Sequence, residues 1–276
     1  MPTADGLLYF KEAEPVLAHE ARLIEILARR RPELVTEVVV SGERGRMLMR
    51  DAGPQLSAVL EQDLDLRYWE EALPLYAELQ IDAASDANEL LAAGVFDRRA
   101  AVLPALYESL LALDPEGLAA EESEQLRALI PEVVRVCAAL EASGVPETIN
   151  NDDFTDGSIH VTDGTYRFLD WGDSCVSPVF FTLTVTLRVI EIRHRLAPGS
   201  LEIERVRDAY LEPFTRYGSL AELIPLANDA RRVGQICRAA LRAENPHWDD
   251  PDSLAWSLRL LLDPELWRTW EDSAVS

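Results

Sequence analysis

The chain has 276 residues and a mass of 30.8 kDa, with 49 acidic and 26 basic side chains and a formal charge of −23 at pH 7. An apolar share of 48% excludes an intrinsically disordered chain. So negative a surface excludes a general nucleic-acid binder, because the phosphate backbone repels it. The basic residues divide unevenly: one is a lysine, Lys11, and the other 25 are arginines.

Length fits one large domain or two lobes. The first ten residues lack the basic start and apolar run of a signal peptide. The most apolar stretch, residues 178–192, is broken by Thr182, Thr184, Thr186 and Arg188, too short and too polar for a bilayer span. A cytoplasmic protein without a membrane partner is therefore expected. Cys137, Cys175 and Cys237 are odd in number and widely spaced, so buried reduced thiols are expected rather than a disulfide frame or a zinc site. His19, His160, His194 and His247 show no metal-binding spacing.

In chain order, residues 7–11 read as a strand and residues 15–31 as a helix, with Leu17, Ala21, Ile24 and Ala28 at helical spacing. Residues 36–40 and 46–50 are β-rich and joined by a turn over 41–45. Asp51-Ala52-Gly53-Pro54 breaks the pattern, and divides the chain into an expected N-terminal lobe, 1–53, and a helical C-terminal lobe, 54–276. In the latter, residues 63–80 and 98–113 read as helices. Leu126, Ile130, Val133, Cys137 and Leu140 form one apolar stripe. Residues 144–157 form a polar interruption. Residues 159–161 and 166–169 read as short strands about the turn Thr162-Asp163-Gly164-Thr165. Beyond Phe181 the chain reads as helical, so the expected fold class is α+β. Near the end, Asp249, Asp250 and Asp252 beside Trp248 suit a cationic substrate, or a helix cap at Asp250 before Pro251. Trp256, Trp267 and Trp270 fit helix packing.

Two acidic clusters flank the hairpin: Asp152, Asp153 and Asp156 before it, Asp170 and Asp173 after it. An antiparallel hairpin returns the chain to the end where it began, which should bring Asp153 and Asp170 together. Two carboxylates so placed suit a divalent cation, or a base beside a metal. Aspartate and glycine also populate turns for purely local reasons, and spacing alone leaves both readings open.

The order loop, hairpin, Asp170-Trp171-Gly172 resembles the catalytic and metal-binding segments of the aminoglycoside phosphotransferase family, a branch of the protein-kinase-like fold. Asn151-Asp152-Asp153 stands where that family has His-x-Asp, Ser158 where it has a metal-binding Asn, and Phe168-Leu169-Asp170 where it has its metal-binding Asp. Tyr9-Phe10-Lys11 resembles the lysine strand, Glu20 its partner on the next helix, and residues 47–51 the strand and hinge between lobes.

The resemblance implies a two-lobe kinase-like fold that transfers phosphoryl from ATP, with Mg²⁺, to a hydroxylated small molecule, such as an aminosugar-like compound. By the same resemblance Lys11 holds phosphates, Glu20 orients Lys11, Met49 and Asp51 meet the adenine, Asp153 is the base, and Asp170 and Ser158 bind metal. A lysine preserved among 25 arginines fits this, since a guanidinium fork does not replace a compact ammonium. Asn151 and Ser158 depart from the family pattern, and the ten residues before Lys11 contain no Gly-rich phosphate loop. A truncation, a late start and a shortened protein all remain open explanations of that last point. A kinase-like binding protein without catalysis is the alternative reading.

Overall fold

The computed structural model describes residues 2–3, 6–244 and 253–266. The acidic group around Trp248, His247, Trp267 and Trp270 lie outside them. Lys11 lies on a four-stranded antiparallel sheet built from β1 (Pro2–Thr3), β2 (Gly6–Glu12), β3 (Val38–Ser41) and β4 (Arg46–Arg50), in the order β1-β2-β4-β3. Lys11 pairs with Met47 and Tyr9 with Met49, so the lysine strand lies directly against the strand leading to Asp51. The third strand starts later than expected, because the Thr36 hydroxyl donates to the Arg50 carbonyl at 2.8 Å and a bulge follows Val38.

The expected helix over 15–31 is two pieces: a 3₁₀ turn at Pro15–Leu17, and α1 (Glu20–Ala28). Pro32 disfavours helical backbone at Arg31, which accounts for the early stop. Leu23, Ile24, Ile26 and Leu27 of α1 are buried. This leaves Glu20, at its first turn, turned into the protein.

Six helices and one short strand follow: α2 (Leu56–Leu60), α3 (Arg67–Ala83), α4 (Ala87–Ala92), β5 (Phe96–Asp97), α5 (Leu103–Ala112), α6 (Ala120–Ala128) and α7 (Ile130–Ala142). The apolar stripe expected over 126–140 crosses a helix break, since Pro131 in the first turn of α7 lacks the N–H needed to continue α6. The helix expected from 98 begins at Leu103. There the Asp97 carboxylate accepts the Arg99 N–H at 3.2 Å and stabilises a turn instead. Asp65 likewise accepts the Arg67 N–H at 2.9 Å, delaying α3.

Within the expected polar interruption lies a strand, β6 (Glu147–Asn151), with Thr148, Ile149, Asn150 and Asn151 all buried. It pairs antiparallel with β9 (Ser174–Pro178), which pairs parallel with β5. Between them β7 (Ile159–Thr162) and β8 (Thr165–Phe168) form the expected hairpin. Its two-residue turn, Asp163-Gly164, has φ of 49° and 74°, the pattern of a type I′ turn whose twist matches the strands. The remaining helices are α8 (Leu183–Arg193), α9 (Leu201–Leu211), α10 (Leu220–Val233), α11 (Gln235–Glu244) and α12 (Ser253–Leu262), with Trp256 of α12 half-buried. The fold is α+β. Gln80 of α3 ties its parts together, donating to the Ile149 carbonyl at 2.9 Å and accepting from the Tyr210 hydroxyl at 2.8 Å. Among the described residues no helix is long and apolar enough to cross a membrane.

Candidate active site

The β2 register delivers Lys11 to a carboxylate pair contributed by two other elements. Its Nζ donates to Glu20 Oε1 and to Asp170 Oδ1, both at 2.7 Å. The Trp171 N–H donates to the same Glu20 oxygen at 3.0 Å. Burial lifts the Glu20 carboxyl above its ordinary value, against the pull of Lys11. Burial also opposes the charge on Lys11, but Glu20 and Asp170 outweigh it and hold the ammonium above its ordinary value. Two donors converge on one oxygen of Glu20, so we assign the Lys11–Glu20 pair as ionic. Asp170 adopts φ 58°, a left-handed conformation that aspartate tolerates better than most residues. Its side chain is 72% exposed.

The hairpin brings the two acidic clusters to one end. Ile159 pairs with Phe168, and the Leu169 N–H continues the ladder to the Ser158 carbonyl at 2.9 Å. Asn151 then joins the clusters directly. Its Nδ2 donates to the Asp170 carbonyl at 2.9 Å, and its Oδ1 accepts the Asp153 N–H at 3.0 Å. The Asn151 N–H itself donates to the Tyr76 hydroxyl at 2.8 Å. Tyr76 stacks on Phe154 with centroids 4.0 Å apart and lies against Phe168 and Trp171, giving the loop an aromatic floor. Ser158 is buried, and its hydroxyl donates to the Asp153 carbonyl at 3.0 Å while accepting the Thr155 N–H at 3.4 Å.

Behind this loop lies a crowd of acids. Burial pushes Asp152 up to about 7 against the pull of Arg238 and Arg98, with Asp173 and Asp153 adding to the rise. Burial likewise pushes Asp173 up to about 6, opposed by Arg238. Arg238 of α11 meets all three: Nη2 is 3.3 Å from Asp153 Oδ1, Nη1 is 3.9 Å from Asp173 Oδ2, and Nη1 donates to the Asp152 carbonyl at 3.4 Å. Cys175 and Cys237 lie close to Asp152, and the three cysteines of the chain are buried and free.

In front of Lys11 and Asp170 opens a cleft of ≈ 480 Å³, a size that admits a small organic ligand. Tyr9, Met49, Asp51, His160 and Leu169 line it. The His160 Nδ1 meets the Gly53 carbonyl at 2.7 Å, fastening the hairpin to the segment after β4. The structure thus gathers Lys11, Met49, Asp51 and Asp170 around one cleft, with the buried Glu20 behind Lys11, and with Asp153 and Ser158 outside the cleft lining but linked to Asp170 through Asn151. Sequence reasoning named Tyr9 and Leu169 only as motif neighbours of Lys11 and Asp170, and did not find His160 or Arg238 as members of this region. Arg238 carried no signal, being one of 25 arginines on a helix face.

No protein-family model and no curated protein matches the sequence. Solved structures match in shape. An ethanolamine kinase from Plasmodium vivax aligns with a TM-score of 0.60 at 13% identity, covering 91% of this chain and 72% of that one. A choline/ethanolamine kinase family protein from Mesorhizobium loti aligns with a TM-score of 0.58 at 16% identity, over 93% and 82% of the two chains. A GDP complex of an aminoglycoside 2′-phosphotransferase aligns with a TM-score of 0.59 at 16% identity, over 91% and 81%. The chain shares the fold of these structures.

Proposed function

We propose that this chain is an ATP- and Mg²⁺-dependent phosphotransferase that moves the γ-phosphoryl group to a hydroxyl of a small molecule, of aminosugar-like character. The observation that carries the reading is the single lysine held between Glu20 and Asp170 in the lining of a cleft of ≈ 480 Å³. Its fold, shared with small-molecule kinases, supports it. The charge of −23 favours a cationic acceptor by long-range attraction. The buried free thiols fit a reducing, cytoplasmic setting.

Lys11 neutralises phosphate charge, and Glu20 keeps its ammonium in place. Met49 and Asp51 border the part of the cleft that takes the base. The exposed Asp170 carboxylate has its Oδ1 on Lys11 and offers hard oxygen to a metal, so the donor set fits Mg²⁺. Ser158 adds a hydroxyl with one lone pair left after its two loop contacts. Bound Mg²⁺ supplies charge neutralisation for the transferring group. Asp153, half-exposed at the loop, accepts the proton of the acceptor hydroxyl.

Thermal titration with ATP, with and without Mg²⁺, tests the nucleotide site, because a ligand of the folded state raises its melting temperature. Asp153→Asn should keep that shift while phosphoryl transfer falls by roughly 10²–10⁴. Equal transfer by the variant would remove Asp153 from the mechanism. A magnesium-dependent shift without transfer to any acceptor would favour a kinase-like binding protein.

A further inference from the structure

Arg238 is 13% exposed, whereas Asp153, at the far end of its fork, is 47% exposed. One side chain therefore runs from the interior to a half-exposed carboxylate. Burial works against its charge, yet Asp153, Asp152 and Asp173 together hold the guanidinium above the ordinary arginine range. The helix that carries it is pressed close. Gly234, just before α11, has no room for a Cβ, which would clash with Thr184 Oγ1 and fall 3.1 Å from Phe181. Thr186 on the same helix α8 donates to the Phe154 carbonyl at 2.9 Å, so α8 fixes both the loop and the base of α11.

We propose that Arg238 is a positioning residue of this site: it serves Asp152, Asp153 and Asp173 as a shared counter-ion and holds the Asp153 carboxylate in place for the acceptor hydroxyl. What Asp153 does there rests on the phosphotransferase reading, but the contact itself does not. The geometry differs from that of a merely structural arginine. A structural role would be met by the bond to the Asp152 carbonyl alone. The 3.3 Å approach to Asp153 is an ion pair and not a short hydrogen bond, so it restrains the carboxylate without consuming the lone pair a hydroxyl must meet. The planar fork reaches three groups in different directions, which a single donor could not do.

Two full-length variants separate the roles. Arg238→Gln keeps a polar side chain and loses the charge, while Arg238→Lys keeps the charge. Amide hydrogen exchange across residues 150–158 is measured together with Mg²⁺-dependent phosphoryl transfer from ATP to water. Arg238→Gln should speed exchange at residues 152–154 by about tenfold, with α3 and α9 unchanged, because only the loop loosens. Its kcat should fall by about 100-fold with the affinity for Mg·ATP unaltered, the size of effect expected from a displaced catalytic group. Arg238→Lys should recover most of both losses. Wild-type exchange in Arg238→Gln, or a lysine variant no better than the glutamine one, overturns the proposal. So does loosening spread evenly over α3 and α9. If the wild-type chain transfers nothing even to water while binding no Mg·ATP, the phosphotransferase reading fails, and the exchange comparison still decides whether Arg238 holds Asp153.

Discussion

Asn151 donates its side-chain amide to the Asp170 carbonyl at 2.9 Å, so one residue before the hairpin is fastened to one after it. The same side chain accepts the Asp153 N–H. An amide offers a donor and an acceptor at fixed spacing, and both are used here. The loop is thus braced although a histidine is absent from this position. Asn151→Ala should leave the part-buried Asp153 N–H and Asp170 carbonyl without this partner, at a cost of about 0.5–1.5 kcal/mol each. Asn151→Asp keeps the acceptor but sets an anionic oxygen against the Asp170 carbonyl. Urea denaturation should show both variants destabilised, and phosphoryl transfer should fall in both. Wild-type stability in Asn151→Ala would show that the brace is idle.

Lys11 is the one lysine of the sequence, and it is shared between Glu20 and Asp170. Nucleotide phosphates and a metal would divide that pair, the ammonium turning to phosphate and the carboxylate to metal. Lys11→Met should therefore abolish the ATP-dependent rise in melting temperature. For the wild type that rise corresponds to about 2.7 kcal/mol at ligand 100 times its Kd. Lys11→Arg should not restore it, because the guanidinium is larger and spreads its charge over a plane. A full shift in Lys11→Arg would show that the position needs only a positive charge.

Much of this site was legible because its chemistry is local in sequence. Asp163-Gly164 set the hairpin turn, and the hairpin set the meeting of the two acidic clusters. β6 was invisible for the opposite reason. Its Thr148, Asn150 and Asn151 are polar yet buried, and the two asparagines find partners distant in sequence, such as Thr182, whose hydroxyl donates to Asn150 Oδ1 at 2.6 Å, and Tyr76, whose hydroxyl accepts the Asn151 N–H. Apolar periodicity reports burial paid for by solvent exclusion, and it misses burial satisfied by tertiary hydrogen bonds. Arg238 is hidden in the same way, since its meaning lies 85 residues from Asp153 in sequence and 3.3 Å away in space. The split of one apolar stripe into α6 and α7 needed only Pro131, which the sequence displays openly.

Gly234 sets how close α11 comes to α8. Gly234→Ala would drive a methyl group into Thr184 Oγ1, which is buried and donates to the Arg231 carbonyl at 2.9 Å, and into the Phe181 side chain. Neither neighbour is at a free surface, so relief requires the helices to part. A destabilisation of about 1–3 kcal/mol is expected from such overpacking. Because α11 also carries Arg238, exchange in the loop at Asp153 should rise in this variant as well. Adding Thr184→Ala should recover part of the stability, leaving the Phe181 contact, and a denaturation series over the two single variants and the double one measures the coupling. Strict additivity would show that the methyl group finds other room.

Asp152 and Asp173 give the site its pH dependence. Burial raises them to about 7 and about 6, while the unfolded chain holds ordinary aspartates near 3.8. Between about pH 4 and 7 the folded state therefore binds protons that the unfolded state has released, and stability from these groups falls as pH rises. It is greatest at the acid end of that window and fully lost above about pH 7. The groups facing Asp152 are Arg238 and Cys237 on α11, Arg98 after β5, Cys175 on β9, Asn150 on β6, and Asp153 and Asp173 beside the loop. Both arginines oppose the rise, and neither overcomes burial. Asp152→Asn removes the ionisation while its side-chain oxygen can still accept from Asn150 Nδ2. The variant should lose little stability at pH 5, where the native carboxyl is protonated. It should gain relative to the wild type by on the order of 1 kcal/mol or more at pH 8, where the native carboxylate carries its full desolvation cost. Urea midpoints of both proteins at pH 5, 6, 7 and 8 measure the crossing, and parallel curves would mean that Asp152 is ionised throughout, its charge matched by Arg238 and Arg98.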